Sequence, residues 1–238
     1  MLFRSHHYGV SLALPDVNGS TYWGGRTFVE GRGSTLLANH GTQRVEETDA
    51  SEDGRTLQAR VRWLAHDGSD LLTERRTLTT ALLPEAEGWS LHWHSTLLAD
   101  SAPLHLTSPA TRGRPGAGYS GLFWRLPDGD ETRILVAQGQ GEGLAHGSTG
   151  EALIVQRRHG RAWSSLVLVQ DAEVQGRVDP WFVRASDYVG IGPSLAWDHA
   201  RDIARGEALE ISLRMVLLDR RASIEEIPEL LTAPADRA

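Results

Sequence analysis

The chain has 238 residues, 40% of them hydrophobic and 23% charged, which fits a soluble globular protein with enough apolar material for one sizeable core. The formal net charge is −7, and arginine pairs such as Arg75-Arg76, Arg157-Arg158 and Arg220-Arg221 are scattered, so a nucleic-acid role, which wants a basic face, is excluded. There is no cysteine and no apolar run long enough to span a bilayer, which removes disulfides, thiol catalysis, cysteine-bound metals and membrane helices.

The chemically dense stretch comes first, FRSHHYGVSLALPDVNGSTYWGGR (3–26). It carries no helical period and is punctuated by glycine, so it reads as strand and loop whose polar side chains converge on a cleft. The chain begins inside this stretch with no strand before it, and N-terminal residues are expected to be missing. After Met1 there is no apolar leader, and with the absent cysteine this leads us to expect a cytoplasmic protein.

Strands are expected over 57–64 and 71–82, joined at Asp67-Gly68, a strong hairpin signal. WSLHWHSTLL (89–98) alternates with a period of two, with Ser90, His92, His94 and Thr96 on one face and Trp93 on the other. Further strands are expected over 103–107, 121–126, 132–137, 152–158, 163–170, 181–185, 188–196 and 209–218. The helix candidate is SIEEIPELL (223–231), with Ser223 and Glu226 in capping-box spacing and Pro228 placed in its first turn or breaking it. The tail 233–238 is expected to fray. Many short strands, frequent turns and almost no helix predict one all-β domain over 1–238, a large antiparallel β-sandwich with a short C-terminal helix.

GAGYSG (116–121) matches G-x-G-x-x-G literally, but it follows a Pro-rich loop and opens a strand, so it is not a dinucleotide site. His6 and His7 are adjacent, and in a strand they face opposite ways, so one of them is the candidate acid–base group. The candidate carboxylates are Asp16 and Glu74. Asp16 and Asn18 precede Gly19 and read either as a plain turn or as a carboxylate and amide aimed at ligand hydroxyls. Glu74 shares a strand face with Arg76, either as a solvated surface pair or as a general base in a cleft. His92 and His94 have a spacing that can chelate a metal, which a further histidine such as His146 would complete; otherwise they lie on the solvent face. Eight tryptophans against four phenylalanines is a skewed aromatic set, and indoles stack on the apolar faces of sugar rings. Trp23 and Trp124 are thus candidate ligand-binding residues beside Asn18, Arg26, Arg112 and Arg184, with Arg125 and the Asp179-Pro180-Trp181 turn as rim groups.

HHYGVSLALPDVNGSTYWGGRTFV (6–29) resembles a bacterial family, abundant in actinobacteria, that is labelled methane oxygenase PmoA. The resemblance continues through LLTERRTL (71–78), SPATRGRPGAGYSGLFWRLP (108–127), DPWFVR (179–184) and SLAWD (194–198), most of the chain. A membrane copper monooxygenase subunit needs transmembrane helices and this sequence has none, so the label reads as a transferred name. The family's pattern is similar to large carbohydrate-processing sandwiches such as aldose mutarotases, which implies a mutarotase-like supersandwich by fold analogy.

These readings combine into one expectation. A His/Asp/Asn/Trp-lined cleft binds, and in the catalytic case transforms, a sugar or sugar derivative, with no cofactor. A non-catalytic carbohydrate-binding module is the first alternative. A metal-dependent oxidase or oxygenase with histidine ligands is the second, and it brings in a divalent metal. The expected partner is a small molecule, with neither nucleic acid nor membrane, and the sequence leaves the oligomeric state open.

Overall fold

The computed structural model describes residues 9–232. Its strands in chain order are β1 (Gly9–Ala13), β2 (Asp16–Val17), β3 (Thr27–Val29), β4 (Gly33–Thr35), β5 (Thr42–Ala50), β6 (Thr56–Leu64), β7 (Asp70–Leu83), β8 (Gly88–Leu98) and β9 (Leu104–Thr107). The second half adds β10 (Gly121–Arg125), β11 (Glu131–Val136), β12 (Gly139–Gln140), β13 (Ala152–His159), β14 (Ala162–Gln170), β15 (Trp181–Arg184), β16 (Gly190–Pro193), β17 (Arg201–Ile203) and β18 (Ala208–Leu218). Three short helices complete it: α1 (Glu142–Ala145), α2 (Ala172–Gln175) and α3 (Ile227–Thr232).

Nine strands form one antiparallel sheet in the order β12-β11-β13-β14-β18-β8-β7-β6-β5. A four-stranded sheet, β1-β10-β16-β15, and a three-stranded one, β17-β9-β2, supply side chains to the same core. Leu12, Leu122, Trp181, Ile191, Leu104 and Leu106 from the small sheets meet Trp63, Leu72, Trp93, Leu97, Leu153, Leu168 and Leu213 from the large one. The expected all-β sandwich is therefore present, with its core between the inner face of the large sheet and the smaller sheets.

Coverage of the two faces explains the sequence pattern. In β14 the run Leu166, Val167, Leu168, Val169 is buried throughout: Leu166 and Leu168 join the main core, while Val167 and Val169 join a second cluster under α3. A strand covered on both faces has no reason to alternate. On β8 the outer face is half-covered, and partly exposed His92, His94 and Thr96 alternate with buried Trp93, Ser95 and Leu97. The helix starts later than the sequence suggests, at Ile227, with Pro228 in its first turn, where a missing N–H costs nothing. Ser223 N–H donates to Glu226 Oε1 at 3.2 Å, but both residues precede Ile227, so the expected capping-box pair closes the turn before α3 and does not cap the helix. Ile227 and Leu230 bury on the second cluster.

The Asp67-Gly68 hairpin forms as expected, with Gly68 at φ +85° and its N–H donating to Ala65 O at 2.9 Å. β5 was not expected: TQRVEETDA is almost fully exposed and charged, because it is an edge strand whose two faces are wet.

Candidate functional site

The outer face of the four-stranded sheet, turned away from the core, carries the site. On β10, Leu122 and Trp124 point to the core, so Phe123 and Arg125 point outward. On β15 the same alternation buries Trp181 and Val183 in the core and sends Phe182 and Arg184 outward. Between them runs β16, with Gly190 opposite Arg125 on one side and Arg184 on the other. The rings need that glycine, since a Cβ at Gly190 would stand 2.5 Å from Tyr188 and 2.6 Å from Phe123. Trp23, on the loop after β2, closes over this surface. Its ring centroid is 4.2 Å from Tyr119 and 4.8 Å from Phe123, and Tyr119 meets Phe182 edge-on at 5.6 Å.

The result is a cleft of about 460 Å³ whose walls include Trp23, Tyr119, Phe123, Phe182 and Tyr188, with Arg26, Arg114, Arg125, Arg184 and Asp187 around them. The guanidinium of Arg125 stacks on Tyr188 at 4.7 Å and that of Arg184 on Phe182 at 4.9 Å. Arg184 is fixed further by donating to Gly116 O and Val183 O, both at 2.8 Å, and its Nη1 lies 3.6 Å from Glu142 Oε1. Burial pushes the Tyr119 hydroxyl pKa up, and the nearby charge of Arg114 opposes that shift.

Trp23, Arg26 and Tyr119 also line a recess of about 10 Å³, room for one water or hydroxyl. Its other walls include Asp16, Thr21, Ser108 and Arg112. Asp16 is buried, with Oδ2 2.8 Å from Arg112 Nη2 and Oδ1 accepting from Gly19 N–H at 3.1 Å. Ser108 Oγ is buried and has no hydrogen-bond partner among the described residues.

Six of the sequence candidates therefore gather at one place: Trp23, Arg26, Arg184 and the rim candidate Arg125 in the cleft, Asp16 and Arg112 in its recess. The others do not. Asn18 is at φ +50° and binds across to β9, accepting from His105 N–H at 2.7 Å and donating to Pro103 O at 2.9 Å. It holds a turn, the plainer of its two readings. Trp124 packs on the main core, on the face away from the cleft.

Glu74 is neither a surface residue nor a cleft base, because it is 0% exposed on the inner face of β7. It accepts from Arg76 Nε and Nη2, both at 2.8 Å, from Trp63 Nε1 at 2.9 Å and from Ser95 Oγ at 2.6 Å, so its lone pairs are occupied. His92 and His94 share the outer face of β8 opposite Trp93. His92 Nε2 sits 2.9 Å from Ser212 Oγ and His94 Nε2 2.8 Å from Glu210 Oε2. No group of three or more histidine, aspartate or glutamate side chains placed to hold a metal occurs among the described residues. His6 and His7 lie outside the described residues.

His146, considered above as a third ligand, stands behind the cleft wall. Its ring is 5.3 Å from Phe182 and 4.7 Å from Trp197. Nδ1 accepts from Val183 N–H at 3.1 Å, so the proton of the neutral ring is on Nε2, which donates to Gly116 O at 2.9 Å. Burial, and then the charge of Arg184, push its pKa down, in keeping with a neutral ring. The same loop shows why GAGYSG is not a phosphate site: a Cβ at Gly118 would stand 2.6 Å from the Trp197 ring.

The cleft residues that the sequence reading passed over are Arg114, Tyr119, Phe123, Phe182 and Tyr188. A signal for two of them is visible in retrospect. LFWR and WFVR each place phenylalanine two residues before arginine on a strand, which puts both on one face, and the strand between reads Gly-Ile-Gly.

No curated protein and no solved structure shows significant similarity to the chain. A family model matches residues 4–232, nearly the whole length, and the chain therefore belongs to a family of unknown function, DUF6807.

Proposed function

We propose that the cleft on the outer face of the four-stranded sheet binds a sugar or sugar derivative. The observation that carries this reading is the set of half-buried rings of Trp23, Tyr119 and Tyr188, backed by the buried rings of Phe123 and Phe182 and placed beside hydrogen-bonding groups. Aromatic faces receive the C–H faces of a pyranose, and the flanking polar groups receive its hydroxyls. The Asp16–Arg112 recess, with the unpartnered Ser108 hydroxyl, takes one hydroxyl-sized group of such a ligand. In a catalytic version Asp16 is the carboxylate that meets the ligand. A non-catalytic binding module uses the same walls without turnover.

The resemblance of the sequence to proteins labelled methane oxygenase PmoA, and the fold analogy with mutarotases, belong to this proposal and bring no activity with them. A membrane copper monooxygenase subunit crosses the bilayer with long apolar helices, and no helix among the described residues is long and apolar enough to do so. A cytoplasmic location belongs to the proposal on the absence of cysteine.

Ligand-observed proton NMR over a panel of monosaccharides tests the proposal. Binding that is lost in Trp23→Ala supports it, and exchange of anomeric or C–H protons in the bound sugar distinguishes an enzyme from a module. Absence of binding across the panel rejects it.

A further inference from the structure

Around Asp16 the wall of the recess holds more hydrogen-bonding capacity than its own contacts use. Val17 and Leu106 turn into the core, so Asp16 and Thr107, paired directly across β2 and β9, turn to the other face. Both are buried, and Ser108, the next residue, is 1% exposed. The hydroxyls of Thr107 and Ser108 have no hydrogen-bond partner among the described residues. Buried polar atoms are ordinarily paired, so an unpaired hydroxyl in the wall of an opening is a group kept for a guest.

The carboxylate also has capacity left. Arg112 Nη2 meets Oδ2 at 2.8 Å and Gly19 N–H donates to Oδ1 at 3.1 Å, which leaves about two of its roughly four lone-pair sites. The main chain that presents Ser108 is fixed, because its N–H donates to Thr111 Oγ1 at 3.2 Å and its carbonyl accepts from the same hydroxyl at 2.9 Å.

Resting on the sugar reading above, we infer that this recess is the specificity subsite of the cleft: it takes one free hydroxyl of a sugar and rejects every larger or non-donating group at that position. A recess of about 10 Å³ admits an oxygen and its proton, but not a methyl ether, an acetamide, a carboxylate or a phosphate. Hydrogen-bond chemistry narrows the choice further. A hydroxyl donates to Asp16 while it accepts from Ser108 or Arg112. A hydrogen in its place, as in a deoxy sugar, leaves buried polar groups unpaired, which discriminates far more strongly than a missing methylene does. An ammonium has the size but no lone pair for the Arg112 donors. The ligand class is therefore a sugar ring unsubstituted at the recess position. Trp23 and Tyr119, which border both the cleft and the recess, are the rings it lies against.

The test is calorimetric titration of the full chain with glucose, galactose and mannose and with the monodeoxy, mono-O-methyl and acetamido derivatives of each. For the parent that binds, loss of the hydroxyl at one ring position is expected to weaken binding at least about tenfold. Methylation at that same position removes binding, and changes at other positions cost less. Ser108→Ala should weaken the parent several-fold and leave the deoxy analogue at that position unaffected, since the analogue offers Ser108 nothing. The same variant should be no less stable than the wild type in urea, because it removes a buried hydroxyl that has no partner. Asp16→Asn, which keeps the shape, should act on the same single position.

Deoxy sugars that all bind as tightly as their parents overturn the inference and leave the sugar reading standing. So does a sensitive position whose methyl ether binds normally, or whose effect is the same in Ser108→Ala, because the hydroxyl is then read elsewhere. Binding confined to substituted derivatives overturns the inference as well. A panel in which neither parents nor derivatives bind rejects the sugar reading itself, and the inference falls with it.

Discussion

Arg76 holds both oxygens of Glu74 at 2.8 Å while Glu74 has no exposure to solvent. Glu74 sits inside the sandwich and Arg76 at its partly exposed edge; Trp63 and Ser95 supply the remaining hydrogen bonds to Glu74, and the Arg76 guanidinium lies 4.6 Å over the Trp93 ring. An ion pair so placed contributes little by itself, yet breaking it on one side strands a buried charge. Glu74→Ala is expected to cost about 3–5 kcal/mol in urea unfolding. The double substitution Glu74→Leu with Arg76→Met should cost clearly less than the sum of the singles. Ligand binding should survive in whatever fraction folds, since Glu74 lines neither the cleft nor its recess.

Asn18 provides a contrast, because its work lies in a turn. Asn18→Ala removes the bonds to His105 N–H and Pro103 O and forces φ +50° on a residue that disfavours it. A loss of about 2 kcal/mol is expected. Asn18→Gly should recover part of that loss, since glycine adopts positive φ freely. Sugar affinity should be unchanged in both, measured where each variant is fully folded. A large drop in affinity at full folding would return Asn18 to the ligand.

Strands such as β8 were legible because their outer face is only partly covered, whereas β14 showed as a continuous apolar run. Alternation along 89–98 exposed the burial of Trp93 and the outward aim of His92 and His94 before any geometry. The cleft was half legible. Trp23, Arg26, Asp16 and Arg112 stood out as chemistry-bearing types in and near a dense loop. Phe123 and Phe182 did not, because phenylalanine on a strand reads as core unless it is known that the strand's outer face is covered by a second loop. Glu74 misled for the opposite reason. Charge beside charge on a strand reads as surface, and only the bonds to Trp63 and Ser95, from neighbouring strands, reveal that Glu74 is inside. β5 was missed since an edge strand wet on both faces has no apolar pattern to find.

Arg184 tests whether fixed geometry or bare charge matters in the cleft. Its donors to Gly116 O and Val183 O tie the loop before β10 to β15. Arg184→Lys keeps the charge but loses the planar fork. The substitution is expected to cost about 1 kcal/mol of stability. It should also lower affinity by loosening the loop that carries Arg114 and Tyr119. Hydrogen exchange at Ala117 and neighbouring amides reports the loosening directly, and unchanged exchange with unchanged affinity would show that charge alone suffices.

His146 couples the same wall to pH. Its pKa lies below the ordinary 6.5, because burial and then Arg184 disfavour the charged ring, while Glu142 and the bonds to Gly116 and Val183 act the other way. His92, on the outer face near Arg214, Asp171 and His94, is depressed as well, mainly by burial. In both cases the unfolded chain binds the proton more readily than the folded one. Their contribution to stability is therefore complete above pH 6.5 and is lost as pH falls below it, toward the folded-state values. Unfolding free energy should decline between about pH 7 and pH 5, by no more than about 1.4 kcal/mol per pH unit for each histidine. His146→Gln can present a similar acceptor and donor without titrating, so it should flatten its share of that slope. A slope unchanged in His146→Gln, with the ring titrating at its ordinary value by NMR, would show that the wall behind Phe182 tolerates a charged imidazole.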